Sequence, residues 1–265
     1  MSNFASRIAV AAVGVPVVLL VLWAGGWWLF ALLAFAALFS LHEFWLMTKS
    51  LRPLTAAGYL GAFLALLGAE LGGLEWGVGG FLATLPLTFA LKSLAETKTT
   101  TIVSVATATL AACWIGLGLG FVVLLRDIPH HAVLLVFTVL LAVWANDTLA
   151  YFAGRSLGRH RMAPTVSPGK TWEGFAAGTV ASVAVCFFAL YGQHFLVIWE
   201  SLVLGAVIAV AGPLGDLFES ALKRDMQVKD TGRVLGGHGG MLDRIDALLC
   251  AAPAVWFLLL AFNQV

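Results

Sequence analysis

The sequence predicts an all-α integral membrane protein, a polytopic bundle of about nine transmembrane helices with its N-terminus in the cytoplasm. Three observations support this prediction. Residues of the AVILMFWYC set make up 61% of the chain before its 28 glycines are counted, and charged residues make up 11%, against about 25% in soluble domains. Apolar stretches long enough to span a bilayer recur along the whole chain. Nearly all lysine and arginine residues fall in alternate loops.

The predicted spans are apolar stretches close to the roughly 20 residues that a helix needs to cross the hydrocarbon core. Glycine pairs or an Arg-Pro step separate several of them, and such residues commonly end helices. Glycines at 72–73 and 77–80 leave the exact division of residues 55–91 open. The nine stretches are 8–24, 26–47, 55–72, 76–91, 101–124, 131–154, 173–192, 197–222 and 244–262.

A cleaved signal peptide is the alternative interpretation of residues 1–24. However, a second apolar run begins immediately afterwards, and no small-residue cleavage site separates the two runs. Both observations favour an uncleaved first span.

The distribution of basic residues predicts the orientation. With a cytoplasmic N-terminus, all but one of the 15 lysine and arginine residues fall on the cytoplasmic side, and the exception is Arg126. Basic residues concentrate in the cytoplasmic loops of membrane proteins, so this asymmetry supports the orientation and an odd number of spans. The two largest polar loops, 155–172 and 225–242, are then cytoplasmic. The sequence therefore predicts a multi-pass protein of the cell (inner) membrane with its active site at the cytoplasmic face.

The predicted chemistry lies in the second half of a single transmembrane domain that covers residues 1–265. Nine of the 14 acidic residues follow residue 140, most of them beside loops. Residues 1–130 are predicted to be mainly membrane-packing helices, and residues 131–265 to carry the catalytic helices and cytoplasmic loops. His42 and Glu43, near the end of the second span, are predicted to pack or to reach the interface rather than to react.

The densest polar segment runs from residue 212 to residue 246. Helical spacing places four of its polar side chains on one face, and an i, i+3 pair of aspartates follows at the start of the next span. Carboxylates that converge near lipid repel one another unless cations bind, and oxygen-only ligands favour hard ions such as Mg²⁺. An interfacial network of ion pairs with Lys223, Arg224 and Arg244 is the alternative. The two sets are Asp216, Glu219, Ser220 and Lys223, and then Asp243 and Asp246.

A glycine-rich loop lies between these two sets. The run Gly236-Gly237-His238-Gly239-Gly240 would let backbone N–H groups approach a phosphate, and Lys229 and Arg233 add positive charge. His238 is a candidate for binding phosphate or exchanging protons, although a solvated histidine fits the sequence equally well. The loop is therefore a candidate polyphosphate site.

A second polar segment extends from residue 146 to residue 174. Asp147 lies about two turns before Arg155, inside the apolar layer, where a carboxylate commonly has a function. It shares a helical face with Tyr151 and Gly154. The loop that follows is rich in basic residues, and a plain cytoplasmic loop would explain that charge equally well. Its basic residues and histidine are Arg155, Arg159, His160, Arg161 and Lys170.

Three motifs in these segments resemble the phosphatidate cytidylyltransferase (CDP-diacylglycerol synthase) family. The most specific is Ser220-x-x-Lys223-Arg224-x4-Lys229-Asp230, followed by His238-Gly239-Gly240-x-x-Asp243-Arg244-Ile245-Asp246, without departure at the fixed positions. The other two are Asp147-Thr148-x-Ala150-Tyr151-x-x-Gly154-Arg155 and Ser167-Pro168-x-Lys170-Thr171-x-Glu173-Gly174. These matches cover the C-terminal half, whereas residues 1–130 are similar to the family only in hydrophobic layout.

The resemblance implies a nucleotidyltransferase that transfers CMP from CTP to phosphatidate and gives CDP-diacylglycerol and pyrophosphate for phospholipid biosynthesis. It also implies Mg²⁺ as cofactor, with a monovalent cation alongside, and the aspartates at positions 216 and 243 as holders of the catalytic metal. The lipid phosphate is itself the nucleophile in this reaction, and no protein nucleophile stands out in the sequence. Catalysis then depends on positioning and on neutralisation of charge.

The residue patterns and the resemblance together give three groups of candidate site residues. The candidate catalytic residues are Lys223, Arg224, Asp230, His238, Arg244 and Asp246. The candidate substrate-binding residues are Asp147, Arg155, Ser167, Lys170, Ser220, Lys229, Gly239 and Gly240. The candidate metal ligands are Asp216, Glu219, Asp243 and Asp246.

Two other functions remain open from the residues alone. A CTP-dependent lipid-alcohol kinase would move the γ-phosphate of CTP to the lipid and release CDP. An ion-coupled transporter would also carry buried carboxylates near broken helices, but here the charges cluster at one face and no internal repeat is found. The predicted partners are CTP, phosphatidate and the lipid bilayer. No nucleic-acid partner is expected, and a homodimer is left open.

Overall fold

The computed structural model describes residues 3–95, 100–229, 231–232 and 239–265, with the backbone alone for residues 3–11. Helices dominate this part of the chain, which confirms the predicted all-α fold. The helices are α1 (Asn3–Ala24), α2 (Gly26–Met47), α3 (Thr55–Leu82), α4 (Thr84–Ala95), α5 (Thr101–Ala111), α6 (Gly118–Arg126), α7 (Ala132–Leu157), α8 (Trp172–Leu190), α9 (Ile198–Asp225) and α10 (Leu242–Ala261). A 3₁₀ turn (Lys49–Leu51), a π-helical segment (Ala112–Leu117) and an antiparallel pair of strands, β1 (Arg161–Ala163) and β2 (Ser167–Thr171), complete the described elements.

Seven helical stretches in the described residues are long and apolar enough to cross a membrane. The protein is therefore a polytopic helical membrane protein. The count of nine spans and the cytoplasmic N-terminus stay predictions. The seven stretches are Gly26–Met47, Thr55–Ala95, Thr101–Arg126, Ala132–Leu157, Trp172–Leu190, Ile198–Asp225 and Leu242–Ala261, and a shorter apolar helix covers Ala12–Ala24.

The long stretch from Thr55 to Ala95 contains a sharp reversal of the chain. Gly72 and Gly73 leave helical geometry inside α3, and Gly73 has a φ of 69°, a conformation that glycine adopts without steric cost. The break at these two glycines is therefore the tip of a helical hairpin. Its arms approach as closely as glycine permits, with Gly68 against the backbone of Trp76 and Gly80 against that of Leu64.

Exposed tryptophans stand beside the glycine turns of these first helices. Trp27 and Trp28 follow Gly25-Gly26, and Trp76 follows Gly73. The amphipathic indole ring favours the interface between membrane and water. The predicted topology places both turns at the outer interface, where these rings would anchor them.

The described helices form two compact units, each assembled from segments that are distant in the chain. Unit 1 comprises Met1–Leu124 and Met226–Ile245, and unit 2 comprises Leu125–Asp225 and Asp246–Val265. The described residues between α9 and α10 thus belong with the N-terminal helices. The assignment of membrane packing to residues 1–130 and of catalysis to residues 131–265 stays a prediction.

Small residues bring the helices of unit 1 into backbone contact. Gly116, in the π-helical segment, lies against the backbone of Ala62 on α3, where a side chain would collide. Gly58 of α3 similarly receives the indole ring of Trp45 from α2. Close approach through small residues is typical of packed membrane helices.

Small residues also join α7 and α8 in unit 2. Gly174 of α8 lies against the carbonyl oxygen of Ala150 on α7, and Gly178 lies against Asn146. A larger residue at either glycine would force the two helices apart. This packing fixes the position of α7, which carries Asp147, relative to the start of α8.

The basic loop after α7 folds into a two-stranded hairpin, which the sequence did not predict. The Arg161 guanidinium donates to the carbonyl oxygen of Pro168 across the hairpin at 2.6 Å. Thr171 ends the hairpin and caps α8, since its hydroxyl accepts a hydrogen bond from the Gly174 N–H at 3.1 Å. The hairpin is thus attached at its end and presents Lys170 from a fixed strand.

Candidate active site

Lys170 of β2 and Asp216 of α9 form an ion pair in unit 2. The ammonium nitrogen lies 3.0 Å from Asp216 Oδ2 and donates to the carbonyl oxygen of Pro213 at 2.9 Å. The Lys170 side chain is 20% exposed and that of Asp216 is 41% exposed, so a ligand could reach the pair. This contact joins two of the polar segments that the sequence singled out.

The predicted polar face of α9 is present in unit 2. The Ser220 hydroxyl donates to Asp216 Oδ1 at 3.2 Å, and Lys223 Nζ lies 3.4 Å from Glu219 Oε1. Both contacts span one helical turn, as the i, i+4 spacing predicts. Only 1% of the Glu219 side chain is exposed, and the neighbouring ammonium compensates its buried charge.

Asp246 extends this cluster from α10. Its side chain is buried and interacts with that of Glu219, and its Oδ1 accepts from the Ala247 N–H at 2.8 Å. The two helices approach closely because Gly215 of α9 lies against the backbone carbonyl of Asp246. A side chain at position 215 would therefore move Asp246 away from the carboxylates of α9.

Asp147 approaches the same cluster from α7. It lies close enough to Asp216, Asp246 and Lys170 to interact with them electrostatically, and its own side chain is exposed. Four carboxylates and two ammonium groups thus gather in unit 2, from three helices and one strand. The four carboxylates are those of Asp147, Asp216, Glu219 and Asp246.

The remaining predicted metal ligand, Asp243, belongs to unit 1. Its Oδ2 accepts hydrogen bonds from the Thr231 hydroxyl at 3.0 Å and from the Gly240 N–H at 3.1 Å. The preceding Gly239 has a φ of 84°, a conformation that favours glycine. Asp243 therefore holds the backbone that leads into α10. The proximity of Asp243 to Asp216 stays a prediction.

The other candidate residues are exposed or take part in local contacts. Arg224 Nε donates to the carbonyl oxygen of Val166 at 3.2 Å and so attaches the end of α9 to the hairpin. Arg155 Nη1 donates to the Tyr151 hydroxyl at 2.9 Å. Ser167 pairs with Ala163 in the hairpin, and Lys229 and Arg244 are exposed. Asp230 and His238, together with Arg233, Gly236 and Gly237, lie outside the described residues.

Comparison with known proteins identifies the family of the chain. A sequence model of the cytidylyltransferase family matches residues 5–262. The chain belongs to the cytidylyltransferase family. The family resemblance that the motifs predicted is therefore confirmed.

Cytidylyltransferases named phosphatidate cytidylyltransferase are similar to about half of the chain. The protein of Bacillus subtilis (strain 168) is 42% identical over 156 residues, 58% of each chain. The protein of Staphylococcus haemolyticus (strain JCSC1435) is 40% identical over 152 residues, 57% of each chain. The Haemophilus influenzae protein is 39% identical over 130 residues, 47% of this chain and 45% of that relative. The aligned part of the chain thus spans less than two thirds of each relative.

The oxygens around Lys170 in this cytidylyltransferase are of the kind that bind a hard cation such as Mg²⁺. The Lys170 ammonium already lies between the Asp216 carboxylate and the Pro213 carbonyl oxygen, so these oxygens hold a positive charge. Oxygen-only donors without sulfur or imidazole suit Mg²⁺. Within the described parts of the chain, no three His, Cys, Asp or Glu side chains are grouped as ready metal ligands. The metal site therefore stays a prediction.

Glu43 of unit 1 makes contacts that the sequence did not predict. It is fully buried on α2, and its Oε2 accepts a hydrogen bond from the Leu242 N–H at 2.9 Å. The principle that intramembrane carboxylates commonly have a function, which pointed to Asp147, applied to Glu43 as well. The 199 residues that separate Glu43 from Leu242 concealed the contact.

Proposed function

We propose that the protein transfers CMP from CTP to phosphatidate and forms CDP-diacylglycerol and pyrophosphate for phospholipid biosynthesis. The names of its relatives support this choice of substrates. The observation that carries the proposal is the pairing of Lys170 with Asp216, because it joins the Ser167–Gly174 motif to one of the two aspartates that the resemblance implies as holders of the catalytic metal. A lysine and a carboxylate from separate elements are groups that phosphate chemistry requires in one place.

In the proposed reaction, an oxygen of the lipid phosphate attacks the α-phosphorus of CTP. The bond from that phosphorus to the oxygen that bridges to the β-phosphorus breaks, and pyrophosphate leaves. The protein contributes no nucleophile to this step. Its task is to align two anionic substrates and to neutralise the charge that develops on the transferred and leaving groups.

Basic side chains of the chain would neutralise the phosphates. Lys170 and Lys223 supply the ammonium groups of the unit 2 cluster, and exposed Arg224, Lys229 and Arg244 are the proposed phosphate-binding residues. Arginine can bind two phosphate oxygens at once, which orients the group as well as attracting it.

Acidic side chains would hold the metal. We assign this role to Asp216, Glu219 and Asp246 of unit 2, and Asp243 stays the fourth ligand that the sequence predicts. When bound, Mg²⁺ supplies a Lewis acid for a phosphoryl oxygen and positive charge for the leaving pyrophosphate. The hydroxyl of Ser220 orients the Asp216 carboxylate, as hydrogen-bonding partners of metal ligands commonly do.

A nucleotide-choice assay tests the proposed substrates. Purified protein is incubated with phosphatidate, Mg²⁺ and each of the four α-labelled ribonucleotides in turn. We expect label in the lipid fraction chiefly from CTP. Equal incorporation from all four nucleotides, or none with freshly prepared active protein, would contradict the assignment.

We also propose that the site faces the cytoplasm of the cell membrane, since the basic residues concentrate on that side. The test places single cysteines at exposed positions of a variant that lacks the three native cysteines. Thr165→Cys and Gln227→Cys should resist an impermeant thiol reagent added to intact cells, and Gln193→Cys should react. Labelling of the cysteine at position 227 from outside would overturn this orientation.

A further inference from the structure

Glu43 on α2 is a buried carboxylate to which the transfer chemistry assigns no role. Its side chain is 0% exposed, whereas the side chain of its neighbour His42 is exposed. Removing a carboxylate from water is costly unless hydrogen-bond donors compensate for the lost hydration. The groups that surround Glu43 therefore indicate what this carboxylate stabilises.

The donors come from Thr231, which precedes α10, and from Leu242, which begins it. Leu242 is the first residue of α10, and its N–H, which has no acceptor inside the helix, donates to Glu43 Oε2 at 2.9 Å. The Thr231 hydroxyl lies between two carboxylates, 3.0 Å from Asp243 Oδ2 and 3.5 Å from Glu43 Oε2. Glu43 thus connects α2 to the start of α10 directly and to Asp243 through Thr231.

Two glycines let the loop lie directly on this carboxylate. A side chain at Gly232 would collide with Glu43 Oε1, and one at Gly240 would collide with Glu43 Oε2 and the Thr231 hydroxyl. The loop backbone can therefore reach Glu43 only because these positions lack a Cβ atom.

We infer that Glu43 is a positioning residue, which holds the loop before α10 so that the Asp243 carboxylate keeps a fixed orientation. This inference rests on the proposed function. Glu43 acts through Leu242, Thr231 and Asp243 and does not touch the reacting atoms. Groups that orient the ligands of a catalytic centre commonly change activity by about 10–100-fold when they are removed.

Kinetics of Glu43 variants test the inference. Glu43→Ala removes both oxygens and should lower kcat by about 10–100-fold, with KM for phosphatidate changed by less than about threefold. Glu43→Gln keeps the shape and an acceptor for the Leu242 N–H, so it should retain several times more activity than Glu43→Ala. Glu75→Gln makes the same chemical change at an exposed carboxylate in the same unit and should match the unmodified protein.

Hydrogen exchange of the same variants separates positioning from general stability. In Glu43→Ala, amides of residues 239–243 should exchange faster, while those of α7 and α8 should exchange as in the unmodified protein. Faster exchange throughout the chain would overturn the inference, and so would a folded Glu43→Ala variant with kcat within about twofold of normal. If the unmodified protein transfers no CMP, the proposed function fails, and the exchange of residues 239–243 still decides whether Glu43 holds the loop.

Discussion

Replacing Asp216 or Asp243 with asparagine is expected to lower turnover at least about 10²-fold, because loss of one electrostatic stabiliser commonly costs about 10²–10³ in rate. Asparagine keeps the size and one acceptor oxygen of aspartate but removes the negative charge. It can still accept from Ser220 at position 216, or from Thr231 and Gly240 at position 243. Neither variant should therefore unfold. Activity across a Mg²⁺ titration, with monodispersity in detergent, measures both effects.

Asp225→Asn is the matched control for these two variants. Asp225 is the last residue of α9 and is exposed, so the same loss of charge there should leave activity nearly unchanged. The two site variants should need more Mg²⁺ than the control for half-maximal activity. Near-normal turnover of Asp243→Asn at low Mg²⁺ would show that the metal binds elsewhere.

Replacing Lys170 with methionine is expected to lower kcat/KM for CTP by about 10²-fold. Methionine fills the same space but leaves Asp216 and the Pro213 carbonyl oxygen without the ammonium that contacts both. Lys170→Arg should recover only part of the activity, because a planar guanidinium does not match two acceptors placed for one ammonium nitrogen. Steady-state kinetics of the two variants measure the difference.

A double variant shows whether Lys170 acts with Asp216. Residues in one charge pair have non-additive effects, so Lys170→Met combined with Asp216→Asn should be within about threefold of Asp216→Asn alone. Lys49→Met, at an exposed lysine in unit 1, should match the unmodified protein. Fully multiplicative losses would contradict a coupled role and would indicate that the two residues act independently.

The helical part of the fold could be predicted because lipid imposes a simple composition rule on spanning segments. The glycine pair at 72–73 marked the reversal in α3 because few residues other than glycine adopt positive φ. The polar composition of the segment between α7 and α8 predicted only a loop, whereas residues 161–171 form a hairpin. Short strands in a polar loop carry no apolar periodicity, so their pairing could not be predicted.

The candidate site could be predicted where its contacts are local. Helical spacing correctly joined Asp216 to Ser220 and Glu219 to Lys223, because i, i+4 neighbours meet on any helix. The contact of Lys170 with Asp216 could not be predicted in this way. It depends on how the hairpin packs on α9.

The contact of Glu43 with α10 could not be predicted either, because it too depends on how distant elements pack. Sequence spacing says nothing about which distant loop covers a buried carboxylate, and the first 130 residues carry few polar side chains that would draw attention. The glycines at 232 and 240 could have indicated a close contact, because glycine is needed where the backbone approaches another group closely. Here that group is Glu43.

An assay that traces the α-phosphate and the γ-phosphate of CTP separately tests CMP transfer most directly. Purified protein, phosphatidate and Mg²⁺ are incubated in parallel with CTP labelled at the α-phosphate and with CTP labelled at the γ-phosphate. CMP transfer predicts that the α label enters the lipid fraction and that the γ label appears in pyrophosphate. A γ label in the lipid, with the α label released as CDP, would contradict CMP transfer and identify a lipid kinase instead.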